Sequence, residues 1–568
     1  MKVQPLHRRW LPWKHRIMVS PVNRSSEGSA NAGISPSGGV SPLTGDDTFS
    51  MACGLGLTLL ISYLLGFRRI FWEDEMLGWM LLRDPTWHHM LHAWKMGADG
   101  GGFTFYLTGR MWFWIFGASE ISFRMYSAVG FGLAFCVLWV TLRRFYARDT
   151  VAFALFNTWF FSQTIVTHMA EGRFYGLLML FTVFAVYLVV EASRTGRTAP
   201  WLYAASFVVH AALVTSHLLG VVYSATVLGA LIFLDLSSGR FRSWLYATIV
   251  STWLFLLAER VAIIATAQVG QPHFWTTQPN LSRWVGAYSA YSAEVAVVLV
   301  LLCAAALFTM QRKPGGWRRS LQQAFKSRRS AYVVTMALLL IPVEFFIEGL
   351  VGPPLFINRY LMPVAIAQCF LTAEAIQLTQ WKAVLGGLAE RTWLRRLAAA
   401  GFLAAILLWD VGHLARAVMP RRNYTDELTV RLPKGLPVLC EDAWAFTELI
   451  GRQHASGVRY VYLLDWAQST SAAAPRLEVT QFHLMENWRK VGYFAGSIEY
   501  RDHFLENNPR FLIFHQEPGP GATYPPFIGD PLVERFKSDP QYQVIPYGPA
   551  SGSHDQDLWL VCRDTCRS

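Results

Sequence analysis

The stretch MACGLGLTLLISYLLGFRRIFWEDEM, residues Met51–Met76, decides how the chain is read. Residues 51–68 form an apolar run of membrane-spanning length. The run gives way to Phe71-Trp72-Glu73-Asp74-Glu75-Met76, where three adjacent carboxylates stand close to lipid. Each such charge is costly to desolvate, so a cluster of this kind persists in a membrane protein where it is needed. If the topology argued next holds, it lies at the outer rim of a helical bundle. That is where a membrane enzyme would place a general base.

Working outward, apolar segments recur at 122–142, 151–167, 174–192, 201–217, 219–236, 244–266, 286–310, 331–350, 360–380 and 397–418, which makes about eleven spans with the first. Only 15% of the 568 residues are charged, against roughly 25% in soluble proteins. The chain is therefore predicted to be an all-α polytopic membrane protein. Its net charge of +12 does not signal nucleic acid, because the basic residues sit mostly in short loops between spans. They gather in the N-terminal tail, the Arg143-Arg144-Phe145-Tyr146-Ala147-Arg148 turn, the Arg194/Arg197 and Arg240/Arg242 turns, Arg312–Arg329, and Lys382–Arg396. With eleven spans all of these fall on the cytoplasmic side, and only Arg68 and Arg69 oppose the pattern. Residues 1–50, rich in Ser, Gly and Pro from Ser20 to Gly45, read as a disordered cytoplasmic tail.

The opposite face then collects the loop 69–121, Glu171-Gly172-Arg173-Phe174-Tyr175, Ser216-His217, the loop 267–285, Asn358-Arg359-Tyr360, and everything after Pro420. Ionisable groups distant in sequence thus converge on one side. Within 69–121, residues 76–96 and 104–116 are helical in pattern and carry Trp79, Trp87, Trp94, Trp112 and Trp114, so they are expected to lie along the interface. Residues 51–419 form the membrane domain. From 420 to 568 the composition becomes that of a small extracytoplasmic α/β domain. Strand-like runs there are Leu436–Cys440, Val458–Leu464, Arg510–Phe514, Tyr542–Ile545 and Leu558–Val561, and helix-like runs are Trp444–His454 and Gln481–Lys490. No Gly-rich phosphate loop occurs, so no nucleotide is expected. Cys440 is a candidate to pair with Cys562 or Cys566 if that domain is extracytoplasmic.

Each candidate site residue carries two readings. Asp74, with Glu73 and Glu75, is either a general base or an acidic helix start. Asp99, in Gly97-Ala98-Asp99-Gly100-Gly101-Gly102, is a second acid of the loop or a turn residue among glycines. His88, His89 and His92 have helical spacing, so two can face one metal, although histidines are common at interfaces. Glu171, Arg173 and Tyr175 cluster at one outer corner, and Arg359 and Tyr360 at another. Guanidinium groups there suit a lipid-linked phosphate or serve as snorkelling anchors. His217 is a packed polar residue or a contact to that phosphate.

Taken in order, several motifs resemble one family. They are Trp72-Glu73-Asp74-Glu75, Asp99-Gly-Gly-Gly-Phe-Thr-Phe-Tyr-Leu107, Ile115-Phe-Gly-Ala-Ser-Glu-Ile-Ser-Phe-Arg-Met-Tyr-Ser-Ala128, Glu171-Gly-Arg-Phe-Tyr-Gly-Leu-Leu178, Thr215-Ser-His-Leu-Leu-Gly220 and Asn358-Arg-Tyr-Leu-Met-Pro363. Over roughly 51–380 the chain resembles the bacterial polytopic glycosyltransferases of GT-C fold, related to protein O-mannosyltransferases and the lipid A aminoarabinose transferase. The resemblance implies a polyprenyl-phosphate sugar donor and an inverting transfer with Asp74 as catalytic base and Glu75 beside it. It also implies donor-phosphate or substrate contacts from Asp99, Glu171, Arg173, Tyr175, His217, Arg359 and Tyr360. Many relatives have a Pro-Pro-Leu-Tyr-like stretch where this chain reads Gly-Phe-Thr-Phe-Tyr, which bears on the role of Asp99. The implied acceptor is an envelope lipid, glycan or protein on the outer face of the inner membrane. No cofactor is required, and a divalent metal is compatible but not needed. A transporter of lipid-linked sugars is the rival class, although it would favour internal repeats and polar groups at mid-membrane.

Overall fold

The computed structural model describes residues 43–68, 71, 73–195, 199–257, 278–289, 293–311, 316–352, 355–379, 432, 435–441, 443–450, 457–471, 478–516, 532–550 and 556–563, with single positions between 393 and 412. The first part is helical: α1 (Gly45–Arg68), α2 (Glu73–Leu82), α3 (Trp87–Lys95), α4 (Phe103–Phe116), α5 (Glu120–Arg143), α6 (Arg148–Phe160), α7 (Gln163–Met169), α8 (Tyr175–Arg194), α9 (Pro200–Ser216), α10 (Gly220–Leu236), α11 (Ser243–Ser251), α12 (Leu281–Ser289), α13 (Ala293–Gln311), α14 (Gly316–Ser327) and α15 (Arg329–Val351). A 3-10 turn (Asn358–Leu361) leads into α16 (Val364–Thr379).

Four of these helices are long and apolar enough to cross a membrane alone: Gly45–Phe67, Glu120–Arg143, Tyr175–Arg194 and Arg329–Val351. Shorter apolar helices cover 200–216, 220–236, 243–257 and 364–379. The expected span 151–167 is broken instead. Phe161 and Ser162 interrupt it, and Ser162 Oγ caps α7 by accepting the Ile165 N–H. The expected tail 1–42, the segment 258–277 and most of 397–418 lie outside the described residues.

The first long loop is helical, as expected, with three helices rather than two. Pro85 separates α2 from α3, and Thr86 caps α3 by accepting the His89 N–H. On α4, Met111, Trp114, Ile115 and Phe116 are exposed, as on a helix lying in the interface. Helices α5 and α8 meet backbone to backbone. A Cβ on Gly176 would lie 2.0 Å from the Ser127 carbonyl, so glycine is required in the Glu171–Leu178 motif. Among the described residues, which leave out the tail, Arg197 and most of Lys382–Arg396, the basic turns gather at one end of the helices. There Arg143 pairs with Asp47, Arg144 with Glu191, Arg242 with Asp235 and Arg328 with Glu374.

The C-terminal region is a six-stranded sheet in the order β3-β2-β1-β4-β6-β5. Its strands are β1 (Val438–Cys440), β2 (Tyr460–Leu464), β3 (Ile498–Tyr500), β4 (Arg510–Gln516), β5 (Tyr542–Pro549) and β6 (Gln556–Arg563). β3, β2, β1 and β4 run parallel, and β6 and β5 are antiparallel. Side chains alternate between its faces. Val438, Tyr460, Tyr462, Leu512 and Leu560 join the large core shared with the helical part, whereas Leu439, Val461, Phe511, Ile513 and Val561 form a second core. Helices α17 (Ala443–Ile450), α18 (Trp466–Ser469), α19 (Glu478–Lys490), α20 (Arg501–Asn507) and α21 (Leu532–Ser538) cover it.

Cys440 sits on β1 and Cys562 on β6, two strands away and at the other end of the register. Strands lie about 4.8 Å apart, so the pair is far beyond disulfide reach. Cys562 is disulfide-bonded, and Cys440 keeps a buried thiol.

Candidate active site

Consecutive residues of a helix point about 100° apart, and α2 uses this to separate its acids. Glu75 turns inward. Its oxygens accept from Arg124 Nε at 2.8 Å and Arg124 Nη2 at 2.9 Å, and the Gly172 N–H adds a third bond at 2.8 Å. Arg124 also donates to the Gly66 carbonyl. Both side chains of this pair are only 1% exposed. Asp74 instead stays 28% exposed and faces two arginines, Arg173 Nη2 at 3.2 Å and Arg359 Nη1 at 3.7 Å.

Arg173 is the hub. It also reaches the Asp74 carbonyl at 2.7 Å and Asp99 Oδ1 at 3.4 Å. Asp99 is buried, and its other oxygen accepts from the Gly101 N–H at 3.0 Å and from the Tyr106 hydroxyl. Burial opposes the charge on Arg173 and Arg359. The facing groups outweigh that cost and hold both pKa values above the ordinary range: Asp74 and Asp99 for Arg173, and Tyr175 and Tyr360, ahead of Asp74 and Glu171, for Arg359. Both guanidinium groups are thus fixed cations at any working pH.

Aromatic rings wall this cluster. Phe174 lies against Arg173, with 4.9 Å from guanidinium carbon to ring centre, and stacks on His217 at 3.9 Å. His217 ends α9 in extended backbone, and its Nδ1 accepts the Leu219 N–H at 3.2 Å. The Tyr360 ring lies 6.2 Å from His217, and its carbonyl is held by the Tyr223 hydroxyl. Glu171 accepts from His168 Nδ1 at 2.7 Å. Tyr175 is fully buried, and its hydroxyl has no hydrogen-bond partner among the described residues. Asp74, Asp99, Arg173, Tyr175, His217, Arg359 and Tyr360 are therefore brought to one place, at the end of the helices opposite the basic turns. Glu171 joins at its edge, and Glu75 stands behind it. Sequence reasoning missed Phe174, Tyr106 and His168. The first two lie inside motifs quoted above, but no spacing rule marks them.

The glycine run after Asp99 is pinned to the end of α9. The Gly102 N–H donates to the Ser216 carbonyl at 3.0 Å, and the Thr104 and Thr215 hydroxyls bond at 2.6 Å. A Cβ on Gly102 would lie 2.0 Å from the Thr215 carbonyl, a backbone atom that cannot move aside cheaply. Gly102→Ala is expected to cost about 1–3 kcal/mol, the usual penalty of overpacking. A lower melting temperature in detergent, with Gly100→Ala as the open-space comparison, checks this.

His88 and His92 are exposed, and His89 has another use. Its Nδ1 meets Asp84, its Nε2 lies 2.7 Å from the Val491 carbonyl, and its ring stacks on Tyr493. The Tyr493 hydroxyl also donates to Asp84, and Arg110 donates to the Asp84 carbonyl. Among the described residues no three His, Cys, Asp or Glu side chains form a metal-binding group. The Val491 carbonyl and then Asp84 raise the His89 pKa above its ordinary 6.5. Burial works against Asp84, yet bonds from Tyr493, Thr86 and His89 hold its carboxyl below its ordinary 3.8. A raised histidine stabilises fully below its ordinary pKa and loses that contribution as pH climbs through the raised value. A lowered carboxyl loses its contribution as pH falls through the lowered value. The contact is therefore expected to be tightest in mild acid and to loosen above neutrality. Protection of the 491–493 amides should fall from pH 6 to pH 9 in wild type and stay flat in His89→Gln.

Comparison with protein-family models and with curated sequences finds no match. Solved structures do match. ArnT from Cupriavidus metallidurans bound to undecaprenyl phosphate superposes with a TM-score of 0.56 at 13% identity, over 90% of this chain and 98% of that one. The chain has the GT-C fold. The apo form of ArnT gives 0.55 at 11% identity, over 91% and 98%. AglB from Archaeoglobus fulgidus, in complex with an inhibitory peptide and a dolichol-phosphate, gives 0.44 at 12% identity over 83% and 70%. In this GT-C chain the charged cluster occupies one end of a multi-pass membrane bundle.

Proposed function

We propose that the chain transfers a sugar from a polyprenyl-phosphate donor to an envelope acceptor. The site would face outward from the bacterial inner membrane, with residues 420–568 on the same side. The observation that carries this reading is Asp74, a partly exposed carboxylate flanked by the buried Arg173 and the largely buried Arg359 guanidinium groups. An acceptor hydroxyl gives its proton to Asp74 and attacks the anomeric carbon in line. The new C–O bond forms as the bond to phosphate breaks, and the electron pair leaves with polyprenyl phosphate. Configuration at the anomeric carbon inverts. Arg173 and Arg359 stabilise the charge that grows on the leaving phosphate. The Tyr175 hydroxyl, buried without a partner among the described residues, suits a phosphate oxygen. That the ArnT structure binds undecaprenyl phosphate supports this donor chemistry. No cofactor enters the scheme, because two arginines neutralise one phosphate.

The test is transfer of label from polyprenyl-phosphate sugars to an envelope extract by the protein in liposomes, alongside binding of undecaprenyl phosphate. Charge-assisted hydrogen bonds contribute about 1.5–3 kcal/mol. Arg359→Ala is thus expected to weaken lipid-phosphate binding about 10- to 100-fold. Unchanged binding in a folded variant would remove the phosphate from this site. Movement of labelled lipid between leaflets without transfer would favour a transporter.

A further inference from the structure

The C-terminal α/β layer reaches into the loop that carries Asp99. Trp488, at the end of α19, is fully buried, and its indole N–H donates to the Ala98 carbonyl at 2.7 Å. Ala98 immediately precedes Asp99. On the other side of Asp99, the Trp94 indole N–H donates to the Gly101 carbonyl at 2.8 Å. Two indoles therefore hold the backbone on both sides of one acid, and one of them comes from far down the chain. The contact is not isolated. Helix α17 packs against α2, which bears Asp74. The turn after α19 supplies the Val491 carbonyl to His89 and the Tyr493 hydroxyl to Asp84.

That turn is itself strained. Phe494 has φ of +53°, a left-handed conformation that non-glycine residues seldom adopt, between Gly492 at +85° and Gly496 at +75°. Such a conformation persists where its surroundings over-determine it. Here Phe494 is fixed by ring contacts to Trp488 at 5.2 Å and Phe446 at 5.6 Å. The strained turn and the indole bond thus belong to one assembly, aimed at the Asp99 loop.

We infer that Trp488 is a positioning residue. It fixes Asp99 on Arg173, and through Arg173 it sets how the guanidinium faces Asp74. The C-terminal layer, left without a role by the sequence, then completes the geometry of the site. This rests on the transferase reading of that site. An error of about 1 Å in such a placement is enough to cost about 10²-fold in rate.

The experiment uses the full chain in nanodiscs. Trp488→Phe keeps the ring and removes the N–H. Trp559→Phe, in the same sheet but in contact with the second core, is the comparison. Hydrogen exchange of the 97–104 amides is read first, because it needs no substrate. Trp488→Phe is expected to speed that exchange selectively. It should lower kcat by about 10-fold or more, with undecaprenyl-phosphate binding weakened less than in Asp99→Asn. Exchange unchanged in Trp488→Phe, or raised equally in Trp559→Phe, overturns the inference. If exchange responds while wild type transfers nothing from any donor, the clamp stands and the transferase reading falls. Should Trp488→Phe not fold, Tyr493→Phe removes one hydroxyl from the same turn and is judged by the same exchange measurement.

Discussion

Asp74→Asn is expected to fold like wild type and to lose turnover by about 10²–10⁴-fold, the usual contribution of a positioned general base. The fold should survive because the side chain keeps its volume and is partly exposed. Arg173 keeps Asp99 as a partner after the change, and Glu171 remains near Arg359. What is lost, on the proposed mechanism, is the proton acceptor. Donor binding should persist, since neither arginine is removed, so the defect should appear in kcat. Single-turnover transfer at saturating donor, with a melting curve on the same sample, makes the measurement. Wild-type turnover in Asp74→Asn would place the base elsewhere, with Asp99, which shares Arg173 with it, the next candidate. Asp99→Asn is expected to act differently. Asp99 is buried and holds Arg173, so its loss should disturb both stability and donor binding.

The helical bundle was legible in the sequence because lipid imposes a simple rule of apolar runs with basic residues at one end, but of the eleven expected spans only four correspond to described helices long enough to cross alone. Charge pattern alone brought Asp74, Arg173 and Arg359 to one side, and the structure places both arginines within 4 Å of the Asp74 carboxylate. What charge pattern does not contain is helix phase at a boundary. Asp74 and Glu75 look equivalent as neighbours, yet one faces the cluster and the other the buried Arg124. Arg124 itself lay within the quoted Ile115–Ala128 motif, without a role. The break at Phe161–Ser162 was hidden for a similar reason, because a kinked apolar run scores like a straight one. In the C-terminal region, alternation exposed five strands. β3, Ile498–Tyr500, was missed because its short run holds a single aliphatic residue beside Glu499 and an exposed Tyr500, unlike the all-apolar Val438–Cys440. The link from Trp488 to Ala98 spans hundreds of residues and has no local pattern to betray it.

The neighbouring acid should behave in the opposite way. Glu75→Ala leaves the Arg124 guanidinium buried without its carboxylate, at a cost of about 3–5 kcal/mol. It also removes the acceptor of the Gly172 N–H, which ties α2 to the corner bearing Arg173. The variant is expected to melt far below wild type in detergent or to resist purification as a monodisperse species. Replacing a buried pair by apolar residues of similar volume is often neutral or stabilising. Glu75→Leu combined with Arg124→Met should therefore recover much of the lost stability. Turnover in that double variant should return in step with folding, because the proposed base, Asp74, is untouched. A double variant that folds well but remains inactive would assign Glu75 a direct part in the reaction. A single Glu75→Ala variant that melts like wild type would remove the structural role altogether. The two adjacent carboxylates of α2 are thus separable by one comparison, since loss of function at Asp74 should leave the melting curve intact and loss at Glu75 should follow it.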